Sequence, residues 1–150
     1  MKICEWLEAR GIHCKDSRLI EQAFVHSSYV NEHKQLKHDN ERLEFMGDAV
    51  LQLWVSDKLF RLDPPLDEGR MTTFRAQLVC EEALAIYARQ LQLNSFLKLG
   101  VGEEKTGGRE RDSIIADMFE AMLGALYEDG GMAPIDNILT EVIMPHLSHP

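Results

Sequence analysis

Glu41, Glu44 and Asp48 stand at i, i+3 and i+7 in the run Asn40 to Leu51, Asn-Glu-Arg-Leu-Glu-Phe-Met-Gly-Asp-Ala-Val-Leu. At 3.6 residues per turn, a helix gathers these positions within about 60° of arc, so the three carboxylates share one face. The same line continues into Leu51 and Val55, which places the acids where a buried stripe begins. Burying carboxylates together is costly unless something positive joins them, and a hard divalent cation is the usual partner. A second segment, Ser113 to Glu128, is apolar nearly all round and carries Asp117 and Glu120, again at i and i+3. Gly124 follows on their face one turn later, where a missing side chain lets another helix or a ligand come close. Two such helices packed face to face bring four carboxylates together.

One pair of acids at i, i+3 is usually no more than a solvated face. Two pairs on strongly apolar helices, the first extended by Asp48, point instead to a site. Oxygen-only ligands favour Mg²⁺ or Mn²⁺ over zinc, because no His or Cys recurs at ligand spacing. A di-iron carboxylate bundle would want a Glu-x-x-His pair on each of two helices, and neither acidic helix has one. Carboxylate-held Mg²⁺ without a covalent nucleophile suits phosphoryl transfer, one ion preparing water for attack and another steadying the leaving oxygen.

The elements that must position these acids are read from periodicity, which predicts a nearly all-α protein. At 150 residues the chain is one domain, able to bury roughly 70% of its unfolded surface. Ile3, Trp6 and Leu7 give a short amphipathic opening; Asp16 or Ser17 caps a helix carrying Leu19, Ile20, Ala23 and Phe24 that stops near His26-Ser27-Ser28. Asn31 to Asn40 is polar, carries several bases and reads as a loop; it could touch phosphate, although a polar loop needs no function. The first acidic helix runs from Asn40 to about Phe60, before Pro64-Pro65. Asp67 caps a helix through Val79 with Glu68 in its first turn, an ordinary dipole-favoured acid or a fifth acid near the site. Glu81 to Leu93 is amphipathic, with Leu84, Ala85, Tyr87, Ala88 and Leu91 inward. Leu99 to Asp112 has four glycines and reads as a loop. It lacks the preceding strand and the Lys-Ser/Thr ending of a phosphate-cradling loop. Its Lys105, Arg109 and Arg111 could meet a phosphate backbone or simply be solvated. The second acidic helix ends at Asp129-Gly130-Gly131, and a last helix from near Pro134 packs through Ile135, Ile138, Leu139, Val142 and Ile143.

Composition bounds the rest. No run is long and apolar enough to cross a bilayer, and the N-terminus breaks its apolar residues with acids as no secretory signal would, so a cytoplasmic protein without membrane contact is expected. Cys4, Cys14 and Cys80 are odd in number and show no CxxC spacing, which fits free thiols. The net charge of −9, from 25 acids against 16 Lys and Arg, argues on its face against a polyanionic partner. A metal site counted without its metal accounts for part of that excess.

The run Glu41-Arg42-Leu43-Glu44-Phe45-Met46-Gly47-Asp48-Ala49-Val50-Leu51 resembles the signature of bacterial ribonuclease III, with Met46 where leucine is commoner. Further matches are His26-Ser27-Ser28-Tyr29 with Asn31-Glu32, Glu68-Gly69, Gly102-Glu103 with Gly107-Gly108, and Ala116-Asp117-Met118-Phe119-Glu120-Ala121. Nearly all 150 residues are covered. The resemblance implies the all-helical endonuclease-domain fold, homodimeric, cutting both strands of double-stranded RNA to leave 5′-phosphate and 3′-hydroxyl ends. It implies Glu44, Asp48, Asp117 and Glu120 as catalytic acids holding Mg²⁺, with Mn²⁺ able to substitute. Glu41 and Glu68 match acids that assist around the scissile phosphate, and Phe45 matches the aromatic inserted into a socket on the partner subunit. As a plainer reading, Phe45 is an intrachain core residue.

The family normally continues into a double-stranded-RNA-binding domain, whereas this sequence ends at Pro150. The resemblance thus implies residues 1–150 as an isolated catalytic domain, with a natural short form as the other reading, and weak, salt-sensitive RNA binding in which duplex shape counts for more than base identity. The competing function is a catalytically silent RNA-processing or dimerisation module, against which an intact set of acids speaks.

Overall fold

The computed structural model describes residues 1–148; Pro150, the expected end of the domain, lies outside the described residues. Ten α-helices and two short 3₁₀ turns make up the fold, with no strand among the described residues, as the periodicity leads one to expect. Two helices form its centre, α4 (Glu41–Phe60) and α8 (Asp112–Gly130), and they share the most extensive helix–helix contact in the chain. From Ile114 to Leu126 every α8 residue but Asp117 and Glu120 is buried. Around α8 pack α2 (Ser17–Gln22) through Ile20, α6 (Glu81–Gln90) through Leu84, Ala85, Tyr87 and Ala88, and α9 (Met132–Val142) through Ile135, Ile138, Leu139 and Val142. Each fully buried Leu or Ile of this kind contributes about 1.5–3 kcal/mol.

What lets α4 and α8 approach is a pair of glycines. A Cβ placed on Gly47 would lie 1.6 Å from the Glu120 carbonyl oxygen, and one on Gly124 would lie 2.2 Å from the Leu43 carbonyl oxygen. The helices therefore cross backbone against backbone. Both glycines sit one turn from the acids, so the crossing carries Glu44 and Asp48 to Asp117 and Glu120.

The ends of these helices are pinned by long-range hydrogen bonds. Asn40, the one buried polar residue among those described, receives no helix-capping duty; its side-chain amide donates to the Ala23 carbonyl (3.0 Å) and its backbone N–H to the Val25 carbonyl (2.9 Å). Asp39 takes over the cap, accepting from the Glu41 N–H at 2.9 Å. At the other end of α8, Asp129 accepts from the N–H groups of Lys15 and Asp16, which fixes the entry to α2. The Trp54 indole on α4 donates to Asp136 on α9 at 3.0 Å, and Arg89 on α6 pairs with Asp112 at the start of α8 (2.7 Å).

Several element boundaries depart from the sequence expectation. Helix α2 ends at Gln22 rather than near His26, and a separate α3 (Ser27–Glu32) follows. Its cap is an unusual one, the His26 ring nitrogen accepting from the Ser28 N–H, and it has no buried residue to give it periodicity. Tertiary bonds hold it instead: Ser28 Oγ accepts from the Gly100 N–H and Glu32 from the Val101 N–H, both at 2.8 Å. The expected loop of 99–112 contains α7 (Val101–Lys105) and a 3₁₀ turn at Gly108–Glu110. Its arginines are not free for phosphate: Arg109 pairs with Glu104 (2.6 Å) and Arg111 with Glu103 (2.8 Å). Helix α6 stops at Gln90, and α9 starts at Met132, placing Pro134 in a first turn that needs no amide hydrogen. The remaining helices are α1 (Ile3–Glu8), α5 (Glu68–Val79) and α10 (Met144–Leu147). No described helix is long and apolar enough to cross a membrane.

Alanine is the better helix former by about 1 kcal/mol, so on propensity alone Gly124→Ala would stabilise. Backbone overlap reverses the sign. Gly47→Ala and Gly124→Ala should each destabilise by about 3 kcal/mol, roughly 10 °C in Tm by calorimetry, and a neutral or stabilising result would show that the helices do not cross here.

Candidate active site

Glu44, Asp117 and Glu120 converge at the crossing, with one carboxylate oxygen from each lying within 4.8 Å of the other two. All three side chains are half-buried. Asp48, more exposed, stands within hydrogen-bonding reach of Glu120, so the four acids form two adjoining pairs, Glu44 with Asp117 and Asp48 with Glu120. Glu41, exposed at the first residue of α4, lies close enough to raise the proton affinity of both Glu44 and Asp117.

The electrostatics record the crowding. Burial, and then the charge and hydrogen bond of Asp117, push the Glu44 carboxyl up to about 7. Glu120 is pushed up to about 9 by burial, by its hydrogen bond with Asp48 and by the charges of Asp48, Glu44 and Asp117. Asp117 is also raised, chiefly by burial, although the hydrogen bond that Glu44 donates to it works in the opposite direction. Metal-free, the cluster thus relieves its repulsion by keeping protons. A hard divalent cation would do the same work without them, and an all-carboxylate set with mutual oxygen spacings under 5 Å is the donor chemistry that Mg²⁺ or Mn²⁺ takes.

Two neighbours were not singled out as site residues by sequence. Glu81, the first residue of α6, raises the Asp117 proton affinity and the imidazole of His26 lowers it, so both stand at the cluster's edge. Neither has a spacing signal, because both reach the cluster only through tertiary structure, Glu81 by the packing of α6 on α8. Glu68 stands apart. It accepts a hydrogen bond from Thr72 and lines a cleft with Ser56 and Phe60. That is twelve residues along α4 from Glu44, about 18 Å.

Phe45 is 82% exposed, which removes the intrachain-core reading. With Ala49, Leu53 and Phe60 it forms an outward stripe about 80° wide, opposite the buried Leu51, Trp54 and Val55.

A carboxylate cluster held at the crossing of two helices in an all-α domain is a candidate metal-binding site. The chain belongs to the Ribonuclease-III-like family, whose sequence profile matches residues 16–147. It is 51% identical over 142 residues to Ribonuclease 3 of Bacillus cereus (strain AH187) and, to the same degree, to that of Bacillus anthracis (strain CDC 684 / NRRL 3495). These matches cover 94% of this chain and 58% of each relative, so the chain spans a little over half the length of the curated relatives it matches. A structure of the nuclease domain of ribonuclease III from Campylobacter jejuni, with flexibility in a region involved in dimer formation, superposes with a TM-score of 0.83 at 33% identity, covering 95% of this chain and 99% of that one. Dicer from Pichia stipitis superposes with a TM-score of 0.64 at 30% identity over 90% of this chain and 57% of its own.

A pH dependence follows from the raised carboxyls. Between the ordinary carboxylate range and about pH 9 the folded metal-free protein binds more protons than the unfolded chain, so its stability falls as pH rises through about 7 and then about 9. Tm in chelator should therefore decline from pH 6 to pH 9, Mg²⁺ should raise it most at the alkaline end, and Glu120→Gln should raise the chelator value at pH 8.5 by roughly 3 °C while blunting the Mg²⁺ response. A flat chelator profile would contradict the crowding.

Proposed function

We propose that residues 1–150 are the catalytic domain of a Mg²⁺-dependent endonuclease that hydrolyses phosphodiester bonds on both strands of double-stranded RNA, leaving 5′-phosphate and 3′-hydroxyl ends. The convergence of Glu44, Asp117 and Glu120 at the glycine crossing carries this reading, because such a cluster has no structural use in an otherwise apolar centre. Glu44, Asp48, Asp117 and Glu120 hold the cation, and Mn²⁺ can replace Mg²⁺. When bound, the metal supplies a water of lowered pKa and stabilises charge on the leaving oxygen. The chain's own part is to fix these oxygens on two rigid helices and to keep the acids ionised once a cation replaces their protons. Glu41, at the exposed edge, assists at the scissile phosphate.

The working unit on this reading is a cytoplasmic homodimer joined through the outward stripe of α4, with Phe45 seated in a socket on the partner. Glu68 is too far from the acids of its own chain to act there. If Glu68 assists at the scissile phosphate, as its match to the family's pattern implies, it does so at the site of the other subunit.

The experiment is incubation with a long perfect RNA duplex at low salt, in Mg²⁺ and in chelator, followed by sizing and end analysis. Metal-dependent shortening to duplex fragments with 5′-phosphates is expected, and Asp117→Asn should slow cutting at least about a hundredfold while leaving the dimer intact in sedimentation. Cutting retained by Asp117→Asn would overturn the assignment of roles, and intact RNA with a folded, Mg²⁺-binding dimer would favour a silent RNA-processing or dimerisation module. Phe45→Ala should weaken the dimer about thirtyfold, the cost of losing a buried aromatic anchor, and an unchanged dimer constant would place the interface elsewhere.

A further inference from the structure

A cleft of about 410 Å³ lies beside the start of α4, between α2 and the segment preceding Asn40. Arg18, Lys37, His38 and Lys98 line it against a single acid, Glu21. In a chain carrying nine more acids than bases, this local balance is reversed. Most arginines of the protein are already engaged: Arg10, Arg61, Arg89, Arg109 and Arg111 each pair with a carboxylate. Among the described residues, Arg18, Lys37 and Lys98 make no ion pair and no side-chain hydrogen bond. Three cations are thus left free on one wall.

The cleft is held by two main-chain hydrogen bonds and one side-chain amide. The Lys98 N–H donates to the Phe24 carbonyl (2.8 Å), the His26 N–H to the Lys98 carbonyl (3.1 Å), and the Gln22 amide to the Asp39 carbonyl (3.0 Å). The same bonds tie it to the acid cluster. Lys37 lies four residues before Glu41, so their Cα atoms are at most about 14 Å apart. Lys98 bridges Val25, the immediate neighbour of His26.

We infer that this cleft is a phosphate-binding subsite that seats the backbone of the RNA strand a few nucleotides from the bond cut at the acid cluster. The inference rests on the endonuclease reading above. No Phe, Tyr or Trp lines the cleft, and with three cations on its wall recognition is dominated by charge and independent of sequence. The acid cluster repels phosphate wherever a metal does not cover it. A cationic wall next to it supplies the attraction that the chain's net charge withholds.

The test is the affinity of a fluorescein-labelled perfect RNA duplex, measured by anisotropy in chelator across a salt series, for the protein, for Lys37→Ala/Lys98→Ala, and for Lys15→Ala at the far end of α8 as control. The double variant should bind roughly tenfold more weakly, with the salt slope reduced by about two, while Lys15→Ala stays close to the unaltered protein. In Mg²⁺, the KM for duplex RNA should rise by a similar factor with kcat unchanged, because the cleft binds and does not react. If the unaltered protein binds and cuts RNA but the double variant matches it in affinity and slope, the subsite is overturned and the endonuclease reading stands. If the unaltered protein neither binds nor cuts duplex RNA, the endonuclease reading falls and the subsite with it. Displacement by poly-glutamate in preference to unlabelled RNA would assign the cleft to an acidic protein segment and overturn the proposal as well.

Discussion

The contact between Gly47 and Gly124 is the constraint on which the rest depends. With any side chain at either position, α4 and α8 would have to separate by the width of a methyl group or more, since the clash is with carbonyl oxygens and not with flexible side-chain ends. The acids of the cluster reach only a few bonds from their helices. Asp117 has a reach of two carbons, so an added ångström between helix axes would dissolve the cluster that places Glu44, Asp117 and Glu120 oxygens within 4.8 Å. The apolar shell from α2, α6 and α9, the buried bond of Asn40 and the bonds of Asp129 then hold that crossing in register.

Bringing acids together in this way works against stability. Glu44 and Glu120 keep protons well above the ordinary carboxylate range because their charges have nowhere to go, and the surrounding core absorbs the cost. Packing and charge thus pull in opposite directions at one place, which is the usual signature of a functional site rather than a structural one. Outside that place the sequence avoids the same conflict: Glu103 and Glu104 meet Arg111 and Arg109, and Asp112 meets Arg89.

Much of this was legible in the sequence because it rests on local periodicity. The two acidic helices, the capping of α5 by Asp67, and the close approach at Gly124 all follow from spacing of three, four and seven. The long signature from Glu41 to Leu51 identified the family. Legibility failed where structure is made by distant partners. Helix α3 exists because Ser28 and Glu32 bond to Gly100 and Val101, seventy residues on, and it has no apolar stripe to announce it. The arginines of the 99–112 segment look free on paper, yet fold back on glutamates five and eight residues away. Glu81 and His26 reach Asp117 only through packing. Glu68 shows the converse, an acid that shares the family's pattern and yet lies at the far end of α4 from the cluster in its own chain.

We propose the crossing of α4 and α8 as a divalent-cation site. Anomalous diffraction from crystals equilibrated with Mn²⁺ tests it most directly, because it locates the ion without reference to activity. The expected result is a peak bounded by the carboxylates of Glu44, Asp117 and Glu120, at oxygen-ligand distance from each. A peak bound only elsewhere, or none beside well-ordered carboxylates at that crossing, would contradict it.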